Sequence, residues 1–565
     1  MAGIAERGKR SITRRIRFRD RSPWPLHPAA LGRETVQLPN GGTLRLAALN
    51  GHPTLTGEAL LTMLQAIPGA LRSSGPSVRS RLPFAVTVFA RSPMPIRDIR
   101  PLLPYNPRAQ ELAFLLEATS TPGLSLVVSF LDRDGVELSR AMRNAGDGTP
   151  VPVPTDALHI RIGLRLPAGA SARVHRLTLG QRAGGLDVFP AKSDVMLLTN
   201  GYPAADDLYR NAFLHARARG YLEHGRAVDV VVYRRGEPDR ARQFEGIDVV
   251  TMSDESLPLA LDAHRQVFVH FLNRAMWEAL APRLDALRVT VWIHGYEIQP
   301  WTRRAFAVMT DAEREAAQAA SAEREALWSE VLRRDHANLS FVFVSQTLRR
   351  MVEEDYGVAL TGERHHVINN PIDVQHFAFN AKDPEQRLRV LSIRPFASRV
   401  YANDLTVAAI LALSTAPEFD RMRFRIVGDG PLFDDTVAPL RAFPNVQLDR
   451  HFINADEIAA LHRDHGIFLC PSRMDSQGVS RDEAMSSGLV PVTSAVAAIP
   501  EFVDDACGIL AAPESSDGLA AGILRLVRDP EAFSRMSAAA AARVRSDRSA
   551  ESVLRAELAL LDAGI

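Results

Sequence analysis

The chain has 565 residues, 46% of them hydrophobic, with 67 Lys and Arg against 66 Asp and Glu. That length exceeds what one core can serve and predicts three or four domains. The balanced charge excludes a global field that would argue for nucleic acid, and the hydrophobic share is that of an ordinary globular protein. No apolar run is long enough to span a bilayer, and the polar, basic N-terminus carries no secretory segment. The two cysteines, Cys470 and Cys507, lie in apolar contexts and offer neither a disulfide framework nor a metal cluster, which fits a reducing, cytoplasmic compartment.

In chain order, residues 1–29 form a basic tail in which Arg7, Lys9, Arg10, Arg14, Arg15, Arg17, Arg19 and Arg21 are interleaved with Ile12, Ile16 and Phe18. Such a segment is a solvated, flexible tail, or a peripheral contact with an anionic membrane at its inner face. Residues 30–188 read as all-β and predict a sandwich-like accessory domain. Ser125 to Leu131 is strand-like, and Asp132-Arg133-Asp134-Gly135 reads as a hairpin turn rather than a metal loop. Leu158, Ile160, Ile162, Leu164 and Leu166 alternate with period two, and Ala172 to Leu179 repeats the pattern.

From 189 to 380 the pattern becomes α/β. Apolar runs at Val195–Leu198, Val228–Tyr233, Val267–Phe271, Val289–Ile293 and Phe341–Val344 alternate with helical stretches, the longest from about Asp311 to Arg333. The charged stretch 381–387 reads as a linker. The alternation then restarts with Val390–Ile393, Phe424–Val427, Ile467–Cys470 and Val490–Thr493, giving a second domain over 381–550. A closing helix within 551–565 returns to complete the first α/β domain. Alternating strands and helices predict parallel sheets covered on both faces, and two such domains would frame a ligand cleft.

Four segments carry chemistry. Arg394 leaves the strand at Val390–Ile393 and Arg399 follows; two guanidiniums there could clamp a diphosphate, or be ordinary surface arginines. Val427-Gly428-Asp429-Gly430-Pro431 is a strand entering a glycine turn; Gly428 and Gly430 let backbone approach a ligand, or simply turn the chain. Asp475 and Glu483 bracket a Ser-Gln-Gly-Val-Ser loop after a buried strand. There the amides of Gly478, Val479 and Ser480 could meet phosphate oxygens, and a carboxylate could hold a ribose diol. His294 ends the strand at Val289–Ile293 and lies on the ligand-facing edge, or is a structural histidine. No metal-ligand spacing is apparent.

Together these residues resemble glycosyltransferase family 4, retaining enzymes of the two-Rossmann GT-B fold. Arg394 and Arg399 stand where the family has Arg and Lys, Gly428-Asp429-Gly430 matches its G-x-G strand end, and Pro471-Ser472 and Glu483-Ala484-Met485 match its acidic motif. Asn370-Pro371-Ile372-Asp373 is similar to its domain-junction motif. Asp475 takes the place of the family's first glutamate and is one methylene shorter. The family's glycine-rich first loop gives way here to Asn200-Gly201-Tyr202-Pro203.

The resemblance implies an α/β GT-B fold preceded by an all-β domain. It also implies transfer of a sugar from a UDP- or GDP-linked donor to a saccharide or lipid-linked acceptor in cell-surface polysaccharide synthesis, with no cofactor or metal and no nucleic acid partner. Arg394 and Arg399 would stabilise the leaving diphosphate, Glu483 would hold the ribose, Asp475 would face the donor sugar and His294 its hydroxyls. The competing expectation is a weak or inactive GT-B protein that binds carbohydrate, or acts as a scaffold, through the N-terminal sandwich. A GT-B epimerase or phosphorylase is a third expectation, disfavoured by the Glu483 motif and by the lack of a pyridoxal-binding lysine context.

Overall fold

The computed structural model describes residues 31–37, 43–49, 54–65, 71–96, 111–120, 123–180, 193–204, 210–237, 239–244, 247–451, 453 and 455–562. The basic tail over 1–29 lies outside these residues. The N-terminal β-rich portion is built from two antiparallel sheets. One carries Glu137–Asn144, Ser125–Leu131, His159–Leu166 and Val86–Phe89, and the other carries Glu111–Ser120, Ser171–Gly180 and Ser77–Ser80. The inward rows Leu126, Val128, Phe130 and Phe114, Leu116 meet in a single core, as period-two alternation requires. The Asp132 segment is a hairpin turn. Its carboxylate accepts from the Asp134 and Val136 amides at 2.9 Å each, and Gly135 supplies the positive φ of 78°.

The chain divides into two compact units. One holds residues 1–191 with Gly201–Ala212 and Asp229–Ser256, and the other holds 192–200, 213–228 and Leu257–Ile565. This differs from the expected split near 188, and strand pairing supplies the reason. The hairpin of Leu31–Gln37 and Thr43–Leu49 lays its second strand parallel to Arg240–Phe244, with Ala47 opposite Arg240, rather than against the β-rich core.

The second unit contains two parallel sheets. The first orders Val195–Thr199, Gln266–His270, Arg288–Ile293, Leu339–Phe343 and His365–Val367, all parallel, with the four longer strands mostly apolar. The second orders Val446–Arg450, Arg423–Gly428, Arg389–Ile393, Ile467–Leu469, Val490–Ser494 and Ile509–Ala511. Numbered along the chain, that order is 3-2-1-4-5-6, the doubly wound Rossmann arrangement. The architecture is therefore the α/β, two-Rossmann, GT-B-type fold with a β-rich N-terminal portion. Helix starts follow local chemistry. Asp311–Leu332 opens on a capping box in which the Glu313 amide donates to Thr310 Oγ1 and the Thr310 amide donates back to Glu313.

The stretch expected to be a linker is ordered. Asp383 caps the short turn Pro384–Leu388, and Lys382 is buried with its ammonium donating to the His462 carbonyl, so burial lowers its pKa to about 8. The chain crosses between the two parallel sheets twice, side by side. The Ile372 amide donates to the Arg548 carbonyl and the Ala550 amide to the Ile372 carbonyl, both at 2.9 Å. The last helix, Ala550–Asp562, lies on the first half, where Glu557 meets Arg217 at 2.8 Å and Tyr221 at 2.5 Å in full burial.

Candidate functional site

In the second sheet the strand order reverses between Arg389–Ile393 and Ile467–Leu469, the place where open α/β sheets leave a crevice at their strand ends. Arg394 stands at one lip of that crevice, buried to 6% exposure. Its guanidinium donates from Nη1 to Ser480 Oγ at 3.2 Å and from Nη2 to the Pro471 carbonyl at 3.1 Å, lies 5.4 Å over the Tyr401 ring, and keeps a buried Nε without a partner. Ser480 sits in the first turn of helix Val479–Ser486, which Gly478 opens at φ +95°. A positive guanidinium beside a helix N-terminus is suited to an anion.

Gly428 and Gly430 have a packing reason. A Cβ at Gly428 would stand 1.9 Å from the Arg394 carbonyl oxygen, and one at Gly430 would stand 2.4 Å from the Phe396 backbone. The space at both glycines is thus filled by this chain's own 394–396 segment, and their contribution is to seat Arg394. The Arg394 amide donates to Val427 and the Phe396 amide to Asp429, completing that docking.

Arg399 is exposed on the short turn Arg399–Tyr401 and does not share Arg394's pocket contacts. Arg473, which motif reading passed over, holds this turn. It donates to the Arg399 carbonyl at 3.0 Å, forks onto Asp404 at 2.8 and 2.7 Å and reaches Glu514 at 2.8 Å. These carboxylates raise the Arg473 pKa further.

Asp475 makes a local turn, its carboxylate accepting from the Gln477 amide at 3.2 Å. A Cβ at Gly478 would wedge between the Arg481 guanidinium, at 2.7 Å, and Asp475 Oδ2, at 3.1 Å. Val479 packs inward on the Met485–Ile499 cluster. Glu483, one turn along the helix, accepts nothing on its carboxylate among the described residues. Burial first, then the charges of Asp482 and Asp373, push its pKa up to about 8.

The first half faces this wall with three titratable groups. His294 Nε2 lies 3.0 Å from His270 Nδ1, and its ring stacks on Phe271 at 4.7 Å and leans on Phe213 at 4.9 Å. Burial drives both imidazoles well below their usual range; Arg217 adds to the effect at each, and His294 does so at His270. Glu297 is the third group and was not singled out from the sequence. Its carboxylate folds back to accept the His294 amide, and its second oxygen is buried without a partner. Burial raises its pKa to about 7 against the pull of the His294, Glu297 and Gly295 amides and of Arg304. The signal that could have found it is the His-Gly-x-Glu spacing, because Gly295 at φ +129° turns the chain tightly enough for the carboxylate to reach back.

The two walls touch. A Cβ on Gly295 would lie 2.2 Å from Ser476 Oγ, and Gln299 Nε2 reaches Met474 Sδ at 3.6 Å. The structure therefore brings Gly295 and Gln299 on one side against Met474 and Ser476 on the other. Among the described residues no group of three His, Cys, Asp or Glu is placed to hold a metal ion, and no helix is long and apolar enough to cross a membrane.

Residues 389–529 match the protein-family model described as Glycosyl transferases group 1. A segment of 140 residues is 26% identical to the sulfoquinovosyl transferase SQD2 of Arabidopsis thaliana, covering 24% of this chain and 27% of that protein. The chain thus spans about a quarter of the length of the curated relative it matches. Among solved structures it is similar to sucrose-phosphate synthase from Thermosynechococcus elongatus, with a TM-score of 0.49 and 16% identity over 65% of this chain and 98% of that one. It is also similar to Anabaena Alr3699/HepE in complex with UDP and glucose, with a TM-score of 0.47 and 14% identity over 65% of this chain and 99% of that one.

Proposed function

We propose that this protein is a retaining glycosyltransferase. It moves a sugar from a UDP- or GDP-linked donor to a saccharide or lipid-linked acceptor, and its setting is cell-surface polysaccharide synthesis. The observation that carries the reading is Arg394. It is a buried cation at a topological switch point, bonded to the first turn of a helix, inside the segment that matches a glycosyltransferase family model.

The chemistry follows from that geometry. As the bond between sugar and diphosphate breaks, negative charge grows on the leaving phosphate, and a preorganised guanidinium with helix amides stabilises it more than the ground state. Arg399, exposed nearby, supplies a second cation. Glu483 is desolvated, unpaired and largely protonated at neutral pH, so it is poised to exchange hydrogen bonds with the ribose diol. On the opposite wall, neutral His294 offers an uncharged ring to the sugar hydroxyls, and Asp475 presents its carboxylate from the apposed loop.

The test is nucleoside-diphosphate binding. UDP or GDP should raise the melting temperature of the purified protein, and Arg394→Ala and Glu483→Ala should abolish that shift. A protein whose melting temperature no nucleoside diphosphate changes would remove the enzyme reading.

A further inference from the structure

Gln477 sits in the middle of the loop that bears Asp475, yet it points away from the crevice. It is 2% exposed, and both ends of its amide are used. Oε1 accepts from the Asn370 amide at 2.6 Å, and Nε2 donates to the Asn370 carbonyl at 3.1 Å and to Asp482 Oδ2 at 3.2 Å. A side-chain amide here takes the place of a neighbouring strand, pairing with both backbone groups of one residue.

That residue is at the junction. Asn370 precedes Ile372, where the outgoing and returning crossings pair. Its side chain accepts from Arg217 Nη2 at 3.2 Å, and Arg217 in turn is held by Glu557 on the last helix. On the other side, Asp482 lies 3.3 Å from Arg548 of the returning crossing. The loop is therefore tied to both crossings through groups that are all at least nine-tenths buried: Gln477, Asn370, Asp482, Arg217 and Arg548.

We propose that Gln477 is a positioning residue that clamps the Asp475 loop to the interdomain junction, so that the place of Asp475 is set by the junction rather than by the loop itself. The inference rests on the transferase reading for its catalytic consequence but not for the clamp. The physical reason is leverage. The Asp475 carboxylate is held by a local turn to the Gln477 amide and its carbonyl accepts from the Ala498 amide at 3.2 Å, so a loop freed from Asn370 swings Asp475 about that one remaining backbone anchor. A displacement of about 1 Å at a reacting group costs roughly 100-fold in rate. Arg394, Ser480 and Glu483 are not bonded to Gln477, and Asp482 on their helix keeps Arg481 and Arg548 when the Gln477 amide is removed, so diphosphate binding is left in place.

Two variants and two readouts test this. Gln477→Met keeps volume and removes both polar ends. It should lower kcat about tenfold or more while UDP or GDP affinity stays within about twofold. Amide hydrogen exchange should quicken across 474–478 and 369–371 and nowhere else. Gln477→Glu can still accept from the Asn370 amide and, when protonated, donate to its carbonyl, so it should recover kcat and do so more fully as pH falls. Unchanged exchange in Gln477→Met would overturn the clamp. An equal fall in kcat and nucleotide affinity, with no recovery in Gln477→Glu, would overturn the positioning role. A wild-type protein that binds no nucleoside diphosphate would end the transferase reading, while the exchange experiment would still decide the clamp.

Discussion

The two walls of the candidate site are built on opposite electrostatic plans. The C-terminal wall holds a permanent charge, Arg394, bonded to Ser480 in the first turn of a helix. The first half presents two imidazoles that burial holds neutral, His270 and His294, and Glu297, whose pKa burial raises to about 7. A strongly charged ligand end and a polar, uncharged ligand end would each find a matching partner. Burial raises the pKa of the carboxylates Glu483 and Glu297 alike, so the contrast lies in a guanidinium that keeps its charge when buried against imidazoles that do not.

The largest effect is expected at the buried ion pair behind His270 and His294. Glu557→Ala leaves the buried Arg217 without its counter-ion beside the two histidines, and should cost about 3–5 kcal/mol in chemical denaturation. A cost near zero would show that Arg217 is not a fixed charge there. Next in size, Arg394→Ala should weaken nucleoside-diphosphate binding by about 2–3 kcal/mol, read by calorimetry. An unchanged affinity would remove the charged wall from the comparison.

Glu483→Gln sharpens the contrast through pH. The folded pKa, about 8, lies above the unfolded carboxylate value, so the folded state is favoured below the unfolded pKa. That advantage is lost as pH rises through 8. The variant, which cannot ionise, should therefore match wild type near pH 4 and exceed it by roughly 2 kcal/mol at pH 9, after discounting for its partial exposure. Equal stability at pH 9 would contradict a desolvated Glu483. The smallest effect is spectroscopic. The ring-nitrogen resonances of His270 and His294 should not move between pH 8 and pH 6, and a titration midpoint near 6.5 would show them solvated.

The C-terminal wall was far more legible in the sequence than the first half. Its strands are short, mostly apolar runs that lead into Arg394 and Pro471, and Glu483 belongs to a recognisable motif. Even there the packing reason for Gly428 and Gly430 was not legible, because only the structure shows the 394–396 backbone where a Cβ would stand. Strands such as Val446–Arg450 escaped because an edge strand need not be apolar, and its partly exposed residues carry no periodic signal. The pairing of Thr43–Leu49 with Arg240–Ala241 also escaped, since alternation reveals a strand but not its partner.

The buried polar framework was the least legible part. Arg217 meets Glu557 across 340 residues of chain, and Gln477 meets Asn370 across 107. Single residues of this kind carry no local pattern, and only tertiary structure shows that their polar atoms are desolvated and paired. Glu297 is intermediate. Its spacing to His294 is local, but its raised pKa comes from burial, which composition does not disclose.

The most direct test of the account is calorimetric titration of the wild-type protein and Arg394→Ala with UDP and GDP, in one buffer at pH 7. The account predicts saturable binding of at least one of the two to wild type and a loss of about 100-fold in the variant. Binding of neither nucleotide, or equal binding to both proteins, would contradict it.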